Sequence, residues 1–263
     1  MNNKPATEKK SPLSNPPLRQ AGQGLVEERE ILIGGKIMPV FYVAYFAVVL
    51  ALLEWVRYLL HFAPNPWLFT ILAIGAVVFA TMRTRSLIRK GKTLTLGLDG
   101  ERTVAEEIAE IAQDGAKIFH DLQTERSNLD HVIISDRGIF TVETKTHSKP
   151  ARGKPVIRYD GERIWENGVD RGSEILNQAK FQRHWLRESL KLSTGMEYHV
   201  KALVVFPGWF VERTQRLQED SVIVLNPKLV RAFINSLPPT LSPDDVQLAV
   251  YHTTQMIRSK ERD

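Results

Sequence analysis

The sequence predicts an α/β (α+β) domain carried behind a pair of apolar helices. Three observations lead there. Two runs in the N-terminal third, Ile37 to Leu53 and Trp67 to Met82, contain no charged residue. Beyond residue 95, helix-like stretches with an apolar period of about 3.6 residues are interspersed with short β-rich runs. Across the 263 residues, 43% are hydrophobic and 25% charged, the balance of a folded chain rather than a disordered one.

Residues 1–30 are rich in Pro, Asn, Gln and Lys and read as a disordered tail. The first apolar run starts far from Met1, so no signal peptide is apparent. The runs that follow are slightly shorter than the roughly 20 residues that cross a bilayer, but each can extend, giving helices over about 37–58 and 66–82. Glu54 and Arg57 lie three apart and can pair on one face. Trp55, Tyr58 and Trp67 fall where an aromatic belt would sit. The intervening APNPW breaks the helix and makes a hairpin of residues 31–90. After the second run, Arg83, Arg85, Arg89, Lys90 and Lys92 place that end in the cytoplasm, and two spans bring the tail there too. The expected partner of this region is the lipid bilayer, and the expected location is the cell membrane.

Residues 95–210 read as the core of one domain, with 211–263 adding a strand and helices to it. Val104, Ile108 and Ile111 mark an amphipathic helix stopped by Gly115. AKIFHDL, Leu129–Ser135 and Ile139–Thr146 are strand candidates, and Asp160-Gly161 is a hairpin turn. Ser173 to about Leu192 is helical. HVKALVVFP and SVIVLN suit buried strands. Pro227 opens one helix, and Ser242 with Asp245 caps the last.

One strand pair carries charges at its end. With a four-residue loop over Ser135–Gly138 and Ile134 opposite Ile139, Asp130 faces Glu143, while Glu143 and Lys145 share a face. Two carboxylates so placed repel unless a cation lies between them. Mg²⁺ takes one or two carboxylates together with substrate phosphate, and Lys145 beside them can meet a phosphate oxygen or orient a water. A bulge at Gly138 would spoil the opposition. By spacing alone, a surface hairpin end with solvated charges accounts for the pattern equally well.

LDHVIISDRGIFTVETKTHSK, preceded by GLDGERTVAEEI, resembles the nuclease-related domain (NERD) family of the PD-(D/E)xK restriction-endonuclease-like superfamily. The resemblance covers roughly residues 97–206. It falls on Gly100-Glu101, Asp130-His131, Glu143-Thr144-Lys145 and Gln178, with Leu129 where the superfamily has Pro. It implies a central mixed sheet flanked by helices and a metal-dependent phosphodiesterase. Asp130, Glu143, Lys145 and Gln178 are its expected catalytic residues. Asp130, Glu143, the Thr144 carbonyl and Glu101 are the expected ligands of Mg²⁺ (or Mn²⁺). Glu101 is equally well read as an acid on a helix N-terminus.

Lys180, Arg183, Arg187 and Lys191 form a basic stripe on the Ser173–Leu192 helix, either a solvated face or a track for a phosphate backbone. His131 points to the other strand face as a packed histidine, and Trp209 reads as core. The absence of Cys excludes disulfides, thiolate catalysis and Cys-ligated zinc. The net charge of +5 favours acidic partners, although part of it borders the apolar runs. The expected function is a membrane-anchored, metal-dependent nuclease facing the cytoplasm, with DNA ahead of RNA as its nucleic-acid partner. The alternative is the same fold without useful turnover, serving as a tethered nucleic-acid-binding or scaffold module.

Overall fold

The computed structural model describes residues 18–61, 66–124, 128–150, 153–214 and 220–260. Helix α1 (Gln23–Ile31) passes through a π-helical stretch, Leu32–Ile37, into α2 (Met38–Leu59). The tail expected through residue 30 is therefore helical from Gln23 onward, while residues 1–17 lie outside the described residues. Residues 63–65 of the APNPW turn lie outside them too. Pro66 opens the next helix, where its missing N–H costs nothing.

Helix α3 (Pro66–Ala109) runs 44 residues without interruption. The sequence suggested a span ending near 82 and a separate helix from Gly100, whereas one rod carries both. No proline falls between Arg83 and Gly100, and a lone glycine costs a helix only about 1 kcal/mol. Two of those glycines are where α1 and its extension come close. A Cβ at Gly97 would stand 3.2 Å from Leu25, and one at Gly91 would stand 3.8 Å from Leu32. Lys90 pairs with Glu28 at 2.9 Å across the same seam. Both helical stretches, Gln23–Leu59 and Pro66–Asp114, are long and apolar enough to cross a membrane. Their large side chains, among them Phe41, Tyr42, Phe46, Leu72, Ile74 and Phe79, face outward rather than into a core.

The domain is mixed α+β. Its strands are β1 (Lys117–Gln123), β2 (Asn128–Ser135), β3 (Gly138–Thr144), β4 (Val156–Tyr159), β5 (Ile164–Glu166) and β6 (Val169–Asp170). Helix α4 (Glu174–Thr194) follows, then β7 (Val200–Val205), β8 (Phe210–Arg213), β9 (Ile223–Leu225), α5 (Val230–Asn235) and α6 (Pro243–Lys260). One sheet is ordered β1-β2-β3-β7-β9 and the other β6-β5-β4-β8. Strands β1 to β3 are antiparallel neighbours, whereas β3, β7 and β9 run parallel. A parallel neighbour needs a crossover, and between β3 and β7 it consists of the small sheet's first strands and α4.

The large sheet is buried on both faces. The end of α3 and α5 cover one, with Val104, Ile108 and Ile234 against Ile133, Phe140 and Val142. Helices α4 and α6 cover the other, with Leu186, Leu190 and Ala249 against Val132, Ile134 and Ile139. The small sheet packs on the start of α4 and on β7 through Ile157, Tyr159 and Trp209. Full burial of each such aliphatic side chain is worth about 1.5–3 kcal/mol, which fixes the sheet between its helices and leaves only the strand ends free for chemistry.

The β2–β3 register is the expected one, Ile134 opposite Ile139, but the loop is shorter. Ser135 pairs with Gly138, leaving a two-residue turn at Asp136-Arg137. Gly138 has φ 129°, which a residue with a Cβ adopts rarely. It absorbs the turn without a bulge, so the alternation expected for Asp130 and Glu143 is preserved.

Candidate active site

Side-chain alternation puts Asp130 on the same face of β2 as Val132 and Ile134, and Glu143 on the same face of β3 as Ile139. Both look toward α4. The paired ladder ends at His131 opposite Val142, one step short of the two acids. There the Thr144 backbone N–H donates instead to Asp130 Oδ2 at 2.6 Å. A side chain thus replaces the last rung of the sheet and holds Asp130 across from Glu143. The Lys145 backbone N–H donates to Val205 O at 2.9 Å, which carries β3 one residue further along β7.

Helix α4 supplies the next layer. Gln178 Nε2 donates to Glu143 Oε1 at 2.7 Å, and its own oxygen accepts from Lys145 Nζ at 3.0 Å. Lys145 Nζ also donates to Glu143 Oε1 at 2.5 Å. One turn on, Gln182 Nε2 donates to Glu143 Oε2 at 2.5 Å and to Asn128 O at 3.0 Å. Gln182 is 1% exposed and Glu143 3%, so these bonds fix the carboxylate with almost no help from solvent. Gln182 was not singled out from the sequence. Its signal was available in the four-residue spacing from Gln178, which puts two amides on one helix face.

Glu101 comes from α3, where the helix presses on the strand end. A Cβ at Gly100 would sit 1.6 Å from Thr146 Oγ1, so only glycine permits this approach. The N-terminal segment closes in from the other side. Gly22 lies beside the Glu101 carboxylate, a Cβ there standing 3.7 Å from Oε2. Arg19 Nε donates to Asp121 Oδ2 at 2.7 Å, the Gly24 N–H donates to the same oxygen at 2.8 Å, and Asn128 Nδ2 donates to Asp121 Oδ1 at 3.1 Å. Asp121 has φ 50°, a left-handed conformation that these bonds stabilise. Nothing in the sequence linked Arg19 to a residue 102 positions away.

The acids act on one another. Burial, then Glu143, then Glu101 push the Asp130 carboxyl well above its ordinary range. Burial, Asp121 and Glu143 push Glu101 up to about 7. The Lys145 ammonium offsets this only partly. Hard carboxylate oxygens in excess of positive charge suit a divalent cation. Asp130 Oδ1 has no hydrogen bond among the described residues, whereas both oxygens of Glu143 are engaged. Among the described residues no three His, Asp or Glu side chains converge as a ready cage. The donor set therefore fits an ion that takes two carboxylates and completes its shell with water and substrate.

The basic stripe lies off this cluster. Arg183 donates to Asp220 O at 2.7 Å, and Arg187 contacts Glu188 and His184. Lys180 is exposed. The buried face of α4 is instead Leu176, Ala179, Gln182, Leu186 and Leu190. His131 is fully buried on the opposite strand face, its Nδ1 2.8 Å from His120 Nδ1 and its Nε2 3.4 Å from Thr144 Oγ1. Burial and the neighbouring His120 hold it down to about 3, so it stays neutral. Trp209 is core and donates to His147 O at 3.2 Å.

One rim of the mixed sheet thus gathers two acids, a lysine and a glutamine from the flanking helix. Residues 96–207, a little under half of the chain, match the family model NERD, nuclease-related domain, and two apolar helices precede the matched stretch. Comparisons with curated proteins and with solved structures gave no match.

Proposed function

We propose that the protein is a membrane-anchored, divalent-metal-dependent nuclease that hydrolyses phosphodiester bonds, with DNA ahead of RNA as substrate, on the cytoplasmic side. The observation that carries this is the convergence of Asp130, Glu143, Lys145 and Gln178 on one rim of the large sheet. Asp130 and Glu143 would hold Mg²⁺ or Mn²⁺, with the Thr144 carbonyl and Glu101 as further ligands. When bound, the ion activates water and offsets charge on the phosphate. Lys145 adds a fixed positive charge where negative charge grows in the transition state. Gln178 keeps that ammonium beside Glu143, and Gln182 stops Glu143 from turning away.

The anchoring half of the proposal is supported by the outward-facing apolar side chains of α2 and α3. The five basic residues Arg83, Arg85, Arg89, Lys90 and Lys92 support the cytoplasmic orientation.

A second reading has its own support. Both oxygens of Glu143 are already engaged by Lys145, Gln178 and Gln182, as in a module that binds nucleic acid or serves as a scaffold without cutting it. Incubating the detergent-solubilised chain with linear DNA, circular DNA and RNA, in Mg²⁺, Mn²⁺ or EDTA, separates the two. Cation-dependent cleavage supports the nuclease. Retention of nucleic acid without cleavage under every condition supports the module.

A further inference from the structure

Between α2 and α3 lies a groove of about 470 Å³ that the candidate active site does not use. Phe41, Ala44, Tyr45 and Val48 line it from α2, and residues from Val77 to Ile88 line it from α3. Its hollow comes from Ala44 and Ala80, small side chains set among large ones. Along α3 it spans eleven steps, about 16 Å at 1.5 Å per residue, which matches much of an extended fatty-acyl chain. One end is polar. Thr84 Oγ1 is buried there without a hydrogen-bond partner, and the guanidinium of Arg85 has no hydrogen bond or ion pair among the described residues.

We infer that this groove binds one anionic phospholipid, an acyl chain lying along Val48, Val77 and Ala80 and the phosphate held by Arg85; this rests on the membrane-anchored reading above. Charge complementarity selects the occupant. Arg85 is the second basic residue after the uncharged run Trp67–Met82, so it sits where α3 leaves the hydrocarbon and meets headgroups. Arg83 and Arg89 are near it in sequence, but they do not line the groove. A headgroup phosphate offers oxygens to the unpaired guanidinium. The apolar walls accept the chain, which a free phosphate lacks. Without such an occupant, a cationic side chain borders an apolar hollow with no counter-charge.

The test uses the full chain, reconstituted in an equal mixture of phosphatidylglycerol and phosphatidylcholine and then stripped through mild detergent. The lipid retained per protein is counted by mass spectrometry. The parent is expected to keep one phosphatidylglycerol, enriched about fivefold over phosphatidylcholine. Arg85→Gln should lose the enrichment, Arg85→Lys should keep part of it, and Arg83→Gln should keep all of it. Ala80→Phe, which fills the hollow, should retain one lipid fewer. Equal retention of both lipids by the parent overturns the proposal. So does an Arg85→Gln variant that behaves like the parent, or an Arg83→Gln variant that loses as much as Arg85→Gln, since a diffuse basic surface would then explain the preference. A chain released from membranes by alkaline carbonate, carrying no lipid, overturns the membrane reading itself.

Discussion

The Thr144 backbone N–H donates to Asp130 Oδ2 at 2.6 Å at the point where the β2–β3 ladder stops. The bond places the Asp130 carboxyl opposite Glu143 at the cost of burying a second acid beside it. Asp130→Asn keeps an acceptor for Thr144 and removes the like charge. The variant is expected to melt at or slightly above the parent temperature, a gain of up to about 1 kcal/mol, while cleavage falls to background. Thermal denaturation and a cleavage assay on the same preparation check both halves.

Gln182 is the residue whose loss should cost most in stability around the site. Gln182→Leu keeps the bulk but leaves the buried Glu143 Oε2 without the amide that engages it. An unpaired buried group costs about 1–3 kcal/mol, more when charged, so a loss of about 2–3 kcal/mol is expected in urea unfolding. Gln178→Leu, at the more open end of the same helix face, should cost less stability and more activity.

The acid cluster makes stability fall as pH rises. Glu101 is pushed up to about 7 from an ordinary value of 4.5, and Asp130 is raised as well. Between those limits the folded chain holds protons that the unfolded chain has released. The stabilisation is thus complete below the ordinary carboxylate range and is lost as pH climbs through about 7. In EDTA the melting temperature should decline over that window, by the equivalent of on the order of 2 kcal/mol, and Glu101→Gln should flatten the decline. Because cation binding needs the ionised acids, Mg²⁺ should raise the melting temperature more at pH 8 than at pH 5. A pH-independent Mg²⁺ effect would argue against these acids as ligands.

Removing residues 31–90 should release the protein into the soluble fraction. The deletion joins ends that are already neighbours, since Leu32 lies against Gly91 and Glu28 pairs with Lys90. It leaves the Arg19–Asp121 bond and the rest of α3 intact. Fractionation of the parent and the deletion variant by ultracentrifugation decides the matter, with circular dichroism reporting the fold.

Much of this was legible in the sequence because it rests on local periodicity. Charge-free runs gave the two apolar helices, and alternation in β2 and β3 gave a register good enough to align Asp130 with Glu143. What escaped depends on contacts distant in the chain. Along α3, Gly97 meets Leu25 of α1 and Gly91 meets Leu32 of the π-helical stretch that follows it, a packing no local pattern reveals. The Arg19–Asp121 clamp joins segments 102 residues apart. The basic stripe looked like one surface, but Arg183 is drawn off to Asp220 and Arg187 to its own helix. Gln182 was the one miss that could have been avoided, because its spacing from Gln178 is a helix signal.

The most direct measurement is the single-turnover cleavage of end-labelled DNA by the full chain as Mg²⁺ is raised from zero, in parallel with Lys145→Ala. The expected result is saturable, EDTA-reversible cleavage by the parent and at least a hundredfold slower cleavage by the variant, with both proteins melting within a few degrees of each other. Equal rates for the two, or cleavage that persists in EDTA, would contradict a cation-dependent site built on Asp130, Glu143 and Lys145.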